Sequence, residues 1–408
     1  MIPRRRYFIE NSDLLISLEY LIGGGKGDPD EPCEIFGKRF CAKFGFSGFA
    51  LFSLGRIAMG ALLDACRLPA GCDILLPALG FGGTPNILKE RGFNPIFVDT
   101  SPKSLFPTAS LLANVLTPRA SAYISLHIFG YPAPLEEIVE LCKVKNLMLI
   151  EDCAHGPGIK YNGKEAGRAG EGAFFSFNLL KPINSYVGGM AATNNPLIAE
   201  RLAKIAVTAQ SLDDSDAFAS IAKGLFQNLL FASPLYTPVA LAFGNPATER
   251  LIRLANSWFF SEKSAAKGFH PLLAEIADGR LDSLEARIKK RLEIARRFDE
   301  ALGVCNRLHN FDSDARANGY FYPVKAKEPV SEIRKRFLAA GVDVGVRSEI
   351  CDFLPESNEN FPNAYSLWNS LLQIPLYEKM AEKDIEHIAT TLKIMREKNR
   401  IEALRIDG

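Results

Sequence analysis

Lys181 ends the run Phe174-Phe175-Ser176-Phe177-Asn178-Leu179-Leu180-Lys181, and Asp152 ends an earlier apolar run, Met148-Leu149-Ile150-Glu151-Asp152. An amine beyond one apolar strand and a carboxylate at the tip of another are the pair that a pyridoxal phosphate enzyme requires. The amine forms a Schiff base, and the carboxylate keeps the pyridine nitrogen protonated so that the ring withdraws electrons. Partial desolvation beyond a strand also lowers a lysine toward the range in which its free amine attacks a carbonyl. Each residue has a plainer reading too: Lys181 as a solvated loop lysine, Asp152 as a carboxylate capping the next turn.

Further candidates surround this pair. His155 follows Asp152 closely and lies either beside the cofactor ring or in the core as a hydrogen-bonded histidine. His127 either joins the site or fixes the turn Phe129-Gly130-Tyr131-Pro132. The segment Ser53-Leu54-Gly55-Arg56-Ile57-Ala58-Met59 reads as a turn opening a helix, whose amides and dipole suit a phosphate, with Arg56 adding charge. Ser176 offers a hydroxyl donor to the same phosphate or is satisfied within the sheet. Phe81, after Pro77-Ala78-Leu79-Gly80, either stacks on the pyridine or packs as an ordinary core ring.

The elements that must position these groups alternate. From about residue 48 to 195, short apolar runs separate helical patterns, which predicts α/β architecture with a mostly parallel sheet. The predicted strands are Asp73 to Pro77, Pro95 to Asp99, Ser121 to His127, Leu147 to Asp152 and Gly172 to Phe177. Several end in a polar residue, at the edge where such sheets collect their chemistry. Later, Leu281, Leu284, Ile288, Leu292 and Ala295 keep helical spacing over Leu281 to Leu302, a helix that links two domains. Tyr320 to Val324, Val330 to Ala340, Val342 to Val346 and Glu382 to Lys398 then suggest a smaller strand-and-helix unit.

With 408 residues, the chain has roughly two to three domains' worth of length and a sizeable interior. A formal net charge of +1 gives no global field for nucleic acid or an anionic membrane. The eight cysteines show neither a C-x-x-C pair nor a metal-ligand spacing, and read as buried hydrophobes of a reducing, cytoplasmic compartment. The segment Leu225 to Phe243 is largely apolar but interrupted by Gln227, Asn228, Pro234 and Pro238, which argues against a spanning helix. It reads as core or subunit-interface helices, with contact to a membrane or a greasy substrate as the alternative.

Taken together, the motifs resemble a known family. Ile150-Glu-Asp-Cys-Ala-His-Gly-Pro-Gly158, Gly167, Phe175-Ser-Phe-Asn-Leu-Leu-Lys181 and Gly188-Gly189 occur in the order found in the DegT/DnrJ/EryC1/StrS group of pyridoxal phosphate sugar aminotransferases. Leu126-His-Ile-Phe-Gly-Tyr-Pro132, Phe97-Val-Asp99, Lys289 to Ala295, Phe361-Pro-Asn-Ala364 and Leu372 to Leu376 agree, so the resemblance spans nearly the whole chain. It implies an aspartate-aminotransferase-like large domain (PLP fold type I), here residues 1–280 with an apolar helical insertion at about 207–265. A smaller α+β C-terminal domain over 281–408 and a homodimer with active sites at the subunit interface complete that expectation. By the same resemblance Lys181 is the cofactor lysine and proton shuttle, Asp152 the partner of the pyridine nitrogen, and His155 occupies the position where relatives carry glutamine or histidine. Phe81 becomes the stacking ring, with Gly55, Arg56 and Ser176 around the phosphate.

The chain departs from the family in three places. Leu54-Gly55-Arg56 stands where relatives read Ser-Gly-Thr, and Tyr186-Val187-Gly188-Gly189 where they read Gly-Glu-Gly-Gly. The region about Ala266 to Phe269 reads Ala-Lys-Gly-Phe where relatives carry an Asn-Tyr-Arg segment that enters the neighbouring subunit's site. The expected reaction is transfer of an amino group from an amino acid, glutamate first, to a keto-sugar nucleotide, giving an amino sugar for polysaccharide biosynthesis. Its rivals are a silent or regulatory member of the fold and an aminotransferase for a more apolar keto acceptor. A dinucleotide-binding dehydrogenase would need G-x-G-x-x-G after an early strand, and Ile22 to Gly27 has no such context. A dehydratase branch of the family carries histidine in place of the lysine. Spacing assigns no arginine to a donor carboxylate; Arg347 is the one offered.

Overall fold

The protein is described here by a computed structural model covering residues 1–23, 31–232, 236–242 and 267–404. The predicted strands form, within a residue at each end, as Asp73–Pro77, Asn94–Val98, Ala120–Leu126, Met148–Asp152 and Gly172–Ser176. All five pair in parallel. Gly189–Thr193 then joins Gly172–Ser176 antiparallel, and Gly48–Phe52 joins antiparallel beyond it. Six of these seven strands therefore bring their C-terminal ends to one edge, the edge that carries Asp152 and Ser176.

Side-chain alternation along the strands separates structural from chemical residues. Ile74, Ile124, Ile150 and Phe174 face the helices Gly55–Cys66 and Pro196–Thr208. Leu75, Tyr123, Leu149 and Phe175 face Phe36, Phe40 and Phe44 of the helix Glu31–Phe44. Glu151 shares this second face and is 1 % exposed. Its carboxylate accepts the amides of Gly167, Ala169 and Gly170 at 2.9, 2.6 and 3.0 Å and meets His127 Nε2 at 3.0 Å. His127 Nδ1 in turn accepts the Ala133 amide at 3.1 Å. His127 thus fixes the turn after its strand, and it does not enter the site. His127, Glu151 and Cys153 have metal-ligating types within reach of one another, but the hydrogen bonds just described already occupy the histidine and the carboxylate.

A second core sits on a four-stranded antiparallel sheet in the order Gly345–Val346, Leu371–Ile374, Tyr322–Ala326, Ile401–Ala403. The helices Val330–Ala339 and Glu382–Glu397 cover it. Both cores share one helix, Pro271–Leu302. It begins ten residues before the predicted Leu281 because the start signal is local: His270 Nδ1 accepts the Leu272 amide at 3.2 Å, and Pro271 takes the first helical position. The boundary between residues 280 and 281 therefore falls inside a continuous helix. Ile2 belongs to the second core, exchanging backbone bonds with Gly341 and Asp343 at 2.7 and 3.0 Å.

Within the expected insertion, the chain forms the helices Asp214–Ala232 and Tyr236–Ala242, and residues 243–265 lie outside the described residues. No described helix is long and apolar enough to cross a membrane. The described cysteines are free thiols; Cys305 is exposed and Cys33 half-buried, while Cys41, Cys66, Cys72, Cys142, Cys153 and Cys351 are buried as expected.

Candidate active site

Lys181 lies in the connection between the antiparallel neighbours Gly172–Ser176 and Gly189–Thr193. This loop is tied down. Leu179 N bonds Tyr186 O at 3.1 Å, Ser185 N bonds Phe177 O at 2.9 Å, and Lys181 N bonds Asn178 O at 2.8 Å. Arg287 of the linking helix donates to the Pro182 carbonyl at 2.7 Å. The loop that carries Lys181 is therefore fixed, and the lysine is half-buried rather than solvated.

Seven of the residues singled out from sequence, Gly55, Arg56, Phe81, Asp152, His155, Ser176 and Lys181, line one cleft of about 520 Å³. The Asp152 side chain lies at the sheet edge, where its Oδ1 accepts the Ala154 amide at 2.9 Å. Burial pushes its carboxyl up to about 6, although that amide and the Lys181 charge pull the other way. Burial also pushes the Lys181 amine down to about 8, with Asp152 opposing. Burial and the nearby Lys181 charge hold the His155 imidazole well below its usual range, so it is neutral at pH 7. Its Nδ1 is buried without a hydrogen-bond partner.

The helix Gly55–Cys66 aims its N-terminus at this cleft. Its N-cap, Leu54, supplies no side-chain acceptor. Backbones approach closely there: a Cβ on Gly55 would meet Ser176 Cβ at 2.8 Å, and one on Gly189 would meet Gly55 Cα at 2.4 Å. Glycine at both positions lets the helix start, Ser176 and the Lys181 connection share one corner. First-turn amides, the Ser176 hydroxyl and Arg56 thus meet where an anion fits.

Phe81 forms the lip and is 57 % exposed. Asp352 holds this lip: its Oδ2 accepts the Gly82 amide at 3.0 Å, and Asp352–Phe353 pairs with Leu79–Gly80. Glu349, also in the cleft wall, is ion-paired to Arg4, which grips Asp343 at 2.6 and 3.0 Å.

Several lining residues escaped the sequence reading, chiefly Tyr320, Phe321, Glu349, Ile350 and Asp352. They come from the second unit, far along the chain, and only the Asn318-Gly319 turn before them was a visible signal. The strand expected over Tyr320 to Val324 forms as Tyr322–Ala326, because Gly319, at φ +65, turns Tyr320 and Phe321 into the cleft. Arg347 stays outside, exposed, with its guanidinium 5.6 Å over the Trp368 ring. Tyr186, in the segment that departs from the family, points away to Asp13, donating at 2.9 Å. Of the region about Ala266 to Phe269, Ala266 lies outside the described residues, Lys267–Gly268 is a short strand and Phe269 is buried.

A sequence profile of the DegT/DnrJ/EryC1/StrS aminotransferase family matches residues 21–229. Among curated proteins, GDP-perosamine synthase of Escherichia coli O157:H7 is 36% identical over 149 residues, 36% of this chain and 41% of that protein. The match therefore spans about two-fifths of that relative's length. Among solved structures, the aminotransferase TlmJ of Streptoalloteichus hindustanus superposes with a TM-score of 0.72 at 23% identity, covering 97% of this chain and 98% of that one. Spr1654 of Streptococcus pneumoniae, solved in its PLP form, gives 0.71 at 17%, covering 97% and 99%. The likeness confirms the expected fold, a large aspartate-aminotransferase-like α/β unit with a smaller C-terminal one.

Proposed function

Because the chain belongs to the DegT/DnrJ/EryC1/StrS aminotransferase family, we propose that it transfers an amino group from an amino acid, glutamate first, to a keto-sugar nucleotide, making an amino sugar. One observation carries this reading: Lys181 and Asp152 share a cleft and perturb each other's charge beside an anion-binding helix start. The similarity to a GDP-perosamine synthase supports the sugar acceptor.

Pyridoxal phosphate is the family's cofactor, and the cleft fits it. The anion corner of Gly55, Arg56 and Ser176 would hold its phosphate, Asp152 its ring nitrogen, and the orphaned His155 Nδ1 offers a polar contact at the ring's edge. Phe81 would cover one face. When bound, the cofactor supplies an electron sink that lets the donor's α-proton leave. The chain supplies the rest. Lys181 Nζ, neutral in a useful fraction near pH 8, takes that proton and returns it at a neighbouring carbon. Asp152 keeps its charge while it faces a cation, and the apolar wall of Leu54, Met59, Ile87, Ile128 and Ile350 excludes water.

The test is a visible absorption spectrum of the protein with pyridoxal phosphate, followed by glutamate and then by keto-sugar nucleotides. Glutamate is expected to bleach the lysine-dependent band, and the right acceptor to restore it with an amino sugar detected by mass. A band that glutamate and other amino acids leave unchanged would overturn the reading in favour of a silent member. Bleaching restored only by apolar keto compounds would favour the greasier acceptor, which the same wall of aliphatic side chains accommodates.

A homodimer belongs to this proposal. The helix Asn11–Gly23 exposes Leu14, Leu15, Leu18, Leu21 and Ile22, and the neighbouring helix Asp214–Ala232 exposes Phe226 and Leu229. Tyr20 joins the two helices through Asp214 at 3.3 Å and Phe218 at 6.3 Å. Seven such residues on one helical pair suit a second copy of the chain. Light scattering is expected to give twice the chain mass, and Leu14→Glu with Leu18→Glu to give the monomer. A wild type that runs as a monomer at micromolar concentration sinks the idea.

A further inference from the structure

Lys181 Nζ lies over the ring of Tyr320, 5.4 Å from its centroid. That ring is fixed from several directions. It stacks on His155 at 4.3 Å and 25° and on Phe321 at 4.3 Å and 20°. The Tyr320 amide donates to Asn318 Oδ1 at 3.0 Å, and Asn318 Nδ2 donates to the His155 and Pro157 carbonyls at 2.6 and 3.0 Å. Asn318 N and Phe321 N bond Gly130 O and Phe129 O at 3.0 and 3.2 Å. Gly319 makes the bend possible, since a Cβ there would meet Arg291 Cβ at 2.6 Å. One short segment thus clasps the turn after Asp152 and the turn after His127, and delivers a single ring to the lysine.

We propose that Tyr320 is a positioning residue for Lys181, its ring face holding the charged amine in place whenever the lysine is not covalently engaged. The inference rests on Lys181 being the working amine. A protonated lysine half-buried in this cleft has lost part of its water, and the negative face of an aromatic ring replaces some of it. Burial keeps the phenol far above its ordinary value of 10.0, so Tyr320 acts as a neutral ring and not as a base. The charge facing the amine is Asp152, with His155 neutral beside it. The charges facing Tyr320 are Arg5 and Arg291, with Tyr7 the other titratable group near it. Neither arginine acts on the amine, so the ring's effect can be read separately.

The experiment is competitive acetylation of the cofactor-free, full-length protein across about pH 6 to 11, reading the Lys181 peptide by mass spectrometry. Wild type is compared with Tyr320→Phe, Tyr320→Leu and Tyr320→pentafluorophenylalanine, the last keeping the ring's shape while reversing its face charge. Tyr320→Phe is expected to keep the wild-type half-point within a few tenths of a unit. The leucine and pentafluoro variants are expected to lower it by roughly half to one unit, because the protonated form loses its partner. A pentafluoro half-point equal to that of Tyr320→Phe, or a leucine half-point at or above wild type in a folded chain, overturns the proposal. Should the leucine variant fail to fold, the two shape-preserving variants decide alone. No substrate enters the measurement, so a chain that shows the shift without transamination keeps Tyr320 and loses only the functional reading.

Discussion

Lys181→Ala is expected to abolish covalent attachment of pyridoxal phosphate and to lower turnover by at least ~10⁴-fold, since it removes both a nucleophile and a general acid–base group. Borohydride treatment separates these effects from simple loss of cofactor. In wild type, the reagent fixes the cofactor's mass on the peptide containing Lys181; in the alanine variant no peptide gains it. The anion corner of Gly55, Arg56 and Ser176 is untouched, so non-covalent binding persists at reduced affinity. The fold should hold, because the loop is anchored through backbone bonds at Leu179 and Ser185 and through Arg287 at Pro182 rather than through the lysine side chain. Covalent attachment unchanged in Lys181→Ala would move the chemistry to another amine and remove the basis for the reading.

The parts legible in the sequence were those whose signals are local. Strands buried on both faces read as apolar runs, and their polar ends marked the active edge, which is why Asp152 and Ser176 were found from sequence. The neighbours Glu151 and Asp152 look alike in the sequence, yet alternation sends them to opposite faces. Glu151 is spent on the amides of Gly167, Ala169 and Gly170, while Asp152 opens into the cleft. What was not legible is what the second unit contributes. Tyr320, Glu349 and Asp352 reach the cleft because a helix of 32 residues and a hairpin-like crossing fold the C-terminal part back over the sheet edge. No spacing rule links residue 352 to Gly82; only the folded chain brings its carboxylate to that amide. The same holds for the linking helix, whose pattern was clear from Leu281 but whose start depended on reading His270-Pro271 as a cap.

Asp152→Asn is expected to lower turnover by ~10²–10³-fold, because an amide cannot hold the pyridine nitrogen in its protonated form. It is also expected to make the cofactor-free protein more stable at alkaline pH. The carboxyl's folded value of about 6 lies above its ordinary 3.8, so the folded chain binds this proton more tightly than the unfolded chain. Below about 3.8 the acid is protonated in both states and its ionisation costs nothing; the cost grows between 3.8 and 6 and is complete above 6. Two units correspond to ~3 kcal/mol, which asparagine avoids while its side-chain oxygen can still accept the Ala154 amide. Lys181 works in the opposite direction. Its folded value of about 8 lies below the ordinary 10.5, so its charged form is penalised in full below about 8, and it depends on Asp152 for what support it has. At pH 8.5 the amine is mostly neutral and loses little when the acid goes, so the variant's thermal midpoint should rise by a few degrees. At pH 5 most of the folded chain already carries the Asp152 carboxyl protonated, so the ammonium stands alone in wild type and variant alike, and the gain in midpoint should shrink to roughly half of that at pH 8.5. A variant less stable than wild type at pH 8.5 would mean that the buried pair contributes net stability, contrary to a site in which two functional charges are kept at the expense of the resting fold.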